Sequence, residues 1–263
     1  MDAFDFVIVG SGAAASVLAA RLSEDGTRSL CVLEAGPPDS SRYIRIPAGF
    51  MKTIFDPEVT FQYLSEPSEG TAGRRVLTIQ GRIVGGGGTI NGMMYVRGQP
   101  QDFDGWAASG NPGWSYAEVL PYFKRTECRM GTGDDRYRGR DGPLPVTSFH
   151  YPNLLCDAFM ESAVACGIPR NNDYNGPVQF GTGQYQTLIR NGRRVSAAHA
   201  FLHPAVRRGG VDLRTHAHAS RIRFDGRRAM AAQSRSGVPE LRMESFMRGP
   251  RRSRGGRLAP FTS

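Results

Sequence analysis

Two apolar, β-branched runs stand near the start of the chain, FDFVIVG at residues 4–10 and RSLCVLE at residues 28–34. Unbroken apolar runs of this length predict buried strands. Between them, residues 13–24 (AAASVLAARLSE) favour a helix with Val17, Leu18 and Leu22 on one face, and Gly26 closes it. Strand, turn, helix and strand with short connections open a doubly wound α/β sheet. Residues 36–75, rich in Pro, Gly and aromatics, predict irregular backbone, and residues 76–84 predict a short strand. Ser115 and Glu118 form a capping box, and Pro121 predicts a break between two short helices. Residues 153–166 predict an amphipathic helix capped by Asn153 and closed by Gly167. Ser196 opens a short helix that Pro204 ends, and residues 211–214 and 220–224 predict strands.

The turn between the first strand and helix reads Gly10-Ser11-Gly12-Ala13-Ala14-Ala15. Gly10 permits a tight turn, Gly12 lets backbone approach a pyrophosphate, and the small Ala15 lets helix pack on strand. The helix start would offer free N–H groups and a positive dipole to phosphates. Glu34, at the end of the second strand, can accept hydrogen bonds from ribose hydroxyls and would repel a 2′-phosphate. The motif alone fits NAD or FAD, and a ligand-free Gly-rich turn is the plain alternative.

A second Gly-rich stretch runs Gly81-Arg82-Ile83-Val84-Gly85-Gly86-Gly87-Gly88-Thr89-Ile90-Asn91-Gly92-Met93-Met94-Tyr95-Val96-Arg97-Gly98. Consecutive glycines leave no side chain between backbone and its neighbour. Taken alone this could be a flexible hinge. With the text around it, the stretch resembles the first signature of the glucose-methanol-choline (GMC) flavin oxidoreductases. Gly87, Gly88 and Thr89 stand where that family usually has small hydroxyl residues. Glu34-Ala35-Gly36-Pro37, Asp102-Phe103-Asp104-Gly105-Trp106, Asn111-Pro112-Gly113-Trp114, Asp141-Gly142-Pro143-Leu144 and Asn191-Gly192-Arg193-Arg194 extend the likeness over about residues 3–226.

The resemblance implies an α/β, Rossmann-like FAD-binding domain, incomplete, with part of an α+β substrate domain. It implies FAD held by Gly10, Ser11, Gly12, Ala13, Ala14, Ala15, Glu34 and Ala35. Arg82, Val84, Gly85, Gly86, Thr89, Asn91, Gly92, Met93 and Met94 would lie along the flavin and its phosphates, and Ala219 near the adenine. The activity implied is oxidation of an alcohol, choline or another, with hydride passing to flavin and on to an electron acceptor. Members are roughly twice this length, and their histidine base lies in the half not matched here. No residue is therefore assigned to catalysis, and the alternative is an inactive fragment that at most binds FAD. A NAD-binding module is a weaker reading, against which the glycine run and Asn91 speak. Of the histidines, His199 and His203 are spaced one helical turn apart, but no third metal ligand is evident.

The net charge of +9 invites a nucleic-acid reading. Its distribution argues otherwise. Residues 227–263 hold nine arginines and two acids, +7 of that total, without aromatic interleaving or a basic helix. This tail is expected to be disordered, and its abrupt change of composition fits a shifted reading frame. Cys31, Cys128, Cys156 and Cys166 have neither metal spacing nor a disulfide framework, which suits a cytoplasmic protein with reduced thiols. No apolar run is long enough to span a bilayer, though peripheral membrane association stays open.

Overall fold

The computed structural model describes residues 2–148, 152–234 and 241–243. The strands are β1 (Ala3–Phe4), β2 (Phe6–Val9), β3 (Leu30–Leu33), β4 (Thr60–Leu64), β5 (Leu77–Gly81), β6 (Glu127–Met130), β7 (Leu144–Ser148), β8 (Gln186–Thr187), β9 (Ile189–Arg190), β10 (Arg193–Arg194), β11 (Val211–Arg214), β12 (Ala219–Asp225), β13 (Arg228–Ser234) and β14 (Leu241–Met243). The helices are α1 (Ala13–Leu22), α2 (Arg42–Arg45), α3 (Phe50–Thr53), α4 (Gly87–Ile90), α5 (Pro100–Ala108), α6 (Tyr116–Thr126), α7 (Leu154–Ala165) and α8 (His203–Arg208).

At the centre is a three-stranded parallel sheet ordered β11-β3-β2. All of β3 is buried, and its alternation serves two cores. Leu30 and Val32 pack with Ala19 of α1 and with Ala198, Leu202 and Ala205. Cys31 and Leu33 face the other way, against Ala217 and Ala232. β2 departs from the expected buried strand. Among the described residues it pairs with β3 alone, Phe6, Val7 and Ile8 are partly exposed as they pack against the two cores, and Val9 is 51% exposed. On α1 the buried positions are Ser16 and Ala19, while Leu18 faces solvent. The helix turns its small side chains inward because it lies close to its neighbours.

A second sheet, ordered β1-β14-β13-β12, covers the Cys31 face. It corrects the expectation of disorder from Arg227. Gly226 takes a positive φ of 58°, the chain reverses, and β13 returns antiparallel to β12 with Ala231 and Ala232 buried. Large apolar residues are scarce there, but alanines fit where two layers meet closely. The rest of the tail, 235–240 and 244–263, lies outside the described residues, as does His150. Burial pushes the Cys31 thiol up to about 12. A thiolate-directed reagent is therefore expected to label exposed Cys156 and Cys166 and to spare Cys31 until the chain unfolds. Rapid modification of Cys31 in the native protein would show that this core is open.

A third sheet, β6-β7-β8, carries a buried ionic cluster. Glu127 pairs with both Arg97 and Arg138, and Arg138 also pairs with Asp173. Gln186 accepts from Arg138 at 2.9 Å and donates to Asp173 at 3.0 Å. Asn175 accepts from the Arg97 N–H at 2.8 Å. Two cations and two anions balance, and neutral amides satisfy the rest.

Two prolines behave differently from expectation. α6 runs unbroken through Pro121, because the carbonyl it deprives of a partner, that of Ala117, is on an exposed face where water can serve. Ser196 opens a helical run as expected, but Pro204 does not end it: a π-type stretch, Ala198–Leu202, leads directly into α8, and the wider turn next to Pro204 lets the helix pass the proline and continue to Arg208. β5 forms within residues 76–84 as expected, and β4, inside the stretch expected to be irregular, pairs with it as an antiparallel ribbon. α7 forms as predicted, with the Asn153 side chain accepting from the N–H groups of Leu155 and Cys156. Among the described residues no helix is long and apolar enough to cross a membrane.

Candidate functional site

The β2–α1 turn shapes one end of a cleft. Gly10 adopts φ 83°, which only glycine takes without strain, and its N–H donates to Leu33 O at 2.7 Å. Gly12 caps α1 without a side-chain bond, and no acid sits in the first turn. The first N–H groups of α1 are therefore left to a ligand, with the helix dipole behind them. A Cβ on Gly12 would meet nothing within 4 Å, so it would project into the space a ligand would use. Glu34 braces this turn from β3. Its Oε2 accepts from Ser11 N at 2.9 Å and Ser11 Oγ at 2.6 Å, and its Oε1 accepts from Gly36 N at 2.9 Å. Ser11 Oγ in turn accepts from Gly85 N at 3.1 Å, joining the two Gly-rich segments.

The second segment turns sharply through Gly85 (φ 89°) and Gly86 (φ 59°) into α4, a single turn. A Cβ on Gly85 would lie 2.2 Å from Thr89 Oγ1, so no larger residue fits. Thr89 is fully buried and donates to Val84 O at 2.9 Å. Arg194 clamps the end of the turn from β10. It donates to Gly88 O at 3.3 Å, to Asn91 O at 2.6 Å, to Asn91 Oδ1 at 2.9 Å and to Ile44 O at 3.0 Å. All four acceptors are neutral. Burial pushes its pKa down to about 10, so it is still a cation at neutral pH.

Between these segments lies a cavity of about 660 Å³, lined among others by Gly12, Glu34, Gly86, Asn91, His218 and Ala219. A second, more apolar cavity of about 750 Å³ begins at the next residue, Gly92. Met93, Met94, Phe50, Phe159 and Tyr185 are among its walls. Met93 holds φ 63°, an unusual conformation for a side chain of its size, fixed by its N–H donating to Asn91 Oδ1 at 2.9 Å. No histidine or carboxylate lines this second cavity among the described residues.

A sequence profile described as GMC oxidoreductase matches residues 4–246. The chain belongs to the GMC oxidoreductase family. Among its relatives, the oxygen-dependent choline dehydrogenase of Brucella ovis is 44% identical over 233 residues, which are 89% of this chain and 42% of that protein. The Rhizobium etli (strain CIAT 652) protein of the same name is 46% identical over 209 residues, 80% of this chain and 38% of its own. The chain thus spans less than half the length of these curated relatives. Among solved structures, pyridoxine 4-oxidase from Mesorbium loti superposes with a TM-score of 0.84 at 35% identity, covering 90% of this chain and 47% of the other. An FAD-dependent oxidoreductase from Chaetomium thermophilum gives 0.76 at 30%, covering 87% and 41%. The family match runs past residue 226, where the resemblance read from sequence stopped, and takes in β13 and β14.

Within this GMC chain the candidate residues divide by position. Gly10, Ser11, Gly12, Glu34, Ala35, Gly86, Asn91 and Ala219 line the first cavity, and Gly92, Met93 and Met94 line the second. Ala13, Ala14 and Ala15 form the opening turn of α1 beside the first cavity without lining it. Val84, Gly85 and Thr89 are buried beneath it and shape it. Arg82 is the exception. It is not among the lining residues; its guanidinium donates to Glu58 O at 3.0 Å and stands 5.7 Å from the ring centre of Phe61, which lines the first cavity.

Phe61, Ala217 and His218 also line the GMC cleft, and none of them was among the residues expected to hold the cofactor. The His218 ring stands edge-on to Phe61 at 6.0 Å, a contact between segments far apart in the chain. His203 is engaged by Asp39 at 2.9 Å, and among the described residues no group of three potential metal ligands occurs.

Proposed function

We propose that this chain binds FAD along the first cavity and forms part of an enzyme that oxidises the CH–OH group of a small alcohol, choline or a similar one. The supporting observation is the run from the open α1 N-terminus, past Gly86, to Asn91, where the apolar second cavity begins. Bound there, FAD would supply hydride acceptance. The N–H groups of α1 would hold its pyrophosphate, Glu34 its ribose, and Ala219 would border the adenine. Gly92, Met93 and Met94 would flank the flavin and shield it from water. The aromatic walls Phe50, Phe159 and Tyr185 suit a quaternary ammonium, which is attracted to ring faces. Electrons would leave to an acceptor such as oxygen. The names of the relatives and the fit of the cleft support this reading.

The test is a visible spectrum of the purified chain with added FAD after gel filtration. A retained flavin band is expected, and Gly12→Val should abolish it while leaving the melting temperature nearly unchanged, because its side chain would enter open space. A wild-type chain that is folded but holds no flavin would refute the proposal. A second reading, cofactor binding without turnover, is favoured by the second cavity, whose lining among the described residues holds no histidine or carboxylate to take a hydroxyl proton. Bleaching of the retained band by choline under anaerobic conditions separates the two: bleaching supports turnover, and a stable band supports binding alone.

A further inference from the structure

β9 and β10 are joined by Asn191 and Gly192, with φ values of 52° and 70°, a two-residue hairpin. The register sets Arg190 directly opposite Arg193. Like charges so placed repel and weaken a ribbon. Both line a cavity of about 560 Å³ together with Arg45, from the end of α2, Arg194 and His199. The side chains of Arg45, Arg190 and Arg193 make no hydrogen bond or ion pair among the described residues. Among the described residues no carboxylate lines the cavity, and nearby Asp39 is occupied by His203. His199 is held below its ordinary value, first by burial and then by His203, with Arg45 and Arg207 adding to the effect against Asp39. Positive charge from three separate elements thus converges on one concave space. It shares no lining residue with the proposed cofactor cleft.

We propose that this cavity is a second anion site, built for a small molecule carrying a phosphate group. Guanidinium forks match phosphate oxygens two at a time, and several forks around one concave, open space favour a multivalent anion over a single carboxylate. The proline walls, Pro143 and Pro145, limit the space to a small ligand. A bound phosphate would also relieve the repulsion between Arg190 and Arg193.

The test titrates inorganic pyrophosphate calorimetrically into the chain and into an Arg190→Gln/Arg193→Gln variant, both changes lying on an exposed hairpin. Submillimolar binding that weakens with salt is expected for the wild type, and affinity about tenfold lower or worse for the variant, since charge-assisted bonds are lost. Without anion the variant should melt no lower than the wild type, and with pyrophosphate the wild type should melt higher. Arg45→Gln, on a different element, should weaken binding in the same direction and serves if the hairpin variant does not fold. Equal affinity across these proteins would put pyrophosphate elsewhere, the α1 N-terminus included, and overturn the proposal; so would no binding at millimolar concentration. Sedimentation with phosphatidylinositol-phosphate vesicles distinguishes a lipid headgroup from a soluble phosphate ester, and hairpin-dependent binding of either supports the site.

Discussion

Glu127→Gln is expected to cost about 3–5 kcal/mol of stability, because it leaves two buried guanidinium groups with too little negative charge. For a chain of this size that is a fall of roughly 6–20 °C in the unfolding midpoint. Glu127 is fully buried and pairs with both Arg97 and Arg138, so no water can take its place. Removing one cation with it should recover part of the loss. In Arg97→Met/Glu127→Gln the remaining Arg138 still has Asp173 as its counter-ion, and charge is balanced again. The double variant should therefore be more stable than Glu127→Gln alone, with a coupling of about 1–3 kcal/mol. Thermal unfolding of both single variants and the double closes the cycle. Additive losses would mean that the cluster does not act as one unit. Because Arg97 follows directly on the Gly92–Val96 stretch, the same cycle asks whether the third sheet anchors the proposed flavin-facing segment. The Arg97 N–H is held by Asn175, and Gln179 donates to its carbonyl at 2.7 Å.

The central β2-α1-β3 unit was legible because local pattern and local structure coincide there. The apolar runs, Gly10, Gly12 and Glu34 lie within one supersecondary unit whose spacing reports the turn directly. Features decided by distant partners were not legible. The Val9 run reads as buried, yet among the described residues it is an edge, with β3 its one strand partner. β13 reads as polar tail, yet its Ala232 is buried against the Cys31 and Leu33 face of β3, in a sheet completed by β1 and β14. Arg82 donates to the backbone carbonyls of residues 57 and 58, partners distant in sequence that nothing beside the glycines announces. Arg194 showed nothing in sequence beyond membership of a motif. Its importance comes from an interior position under α4, and a linear text does not mark which arginine will be buried.

That buried arginine also decides how Asn91 faces the proposed cofactor. Two donors, Met93 N–H and the Arg194 guanidinium, converge on one atom of the Asn91 amide, each at 2.9 Å. Only an oxygen can accept from both, so the Nδ2 donors are turned the other way, on a residue that lines the first cavity. Arg194→Met should therefore both destabilise the chain, by roughly 2–4 kcal/mol for hydrogen bonds to a charged group, and weaken FAD retention about tenfold or more. Loss of both quantities would not by itself separate a general packing role from control of the amide. Asn91→Asp does. It gives Arg194 the counter-ion it lacks, so the melting temperature should rise. It also replaces the Nδ2 donors with a carboxylate oxygen beside the proposed phosphates and flavin, so FAD affinity should fall about tenfold or more. Stability and affinity moving in opposite directions is the signature of an arginine that orients the asparagine for the cofactor. A stabilised Asn91→Asp chain that keeps wild-type FAD affinity would leave Arg194 as a structural clamp alone.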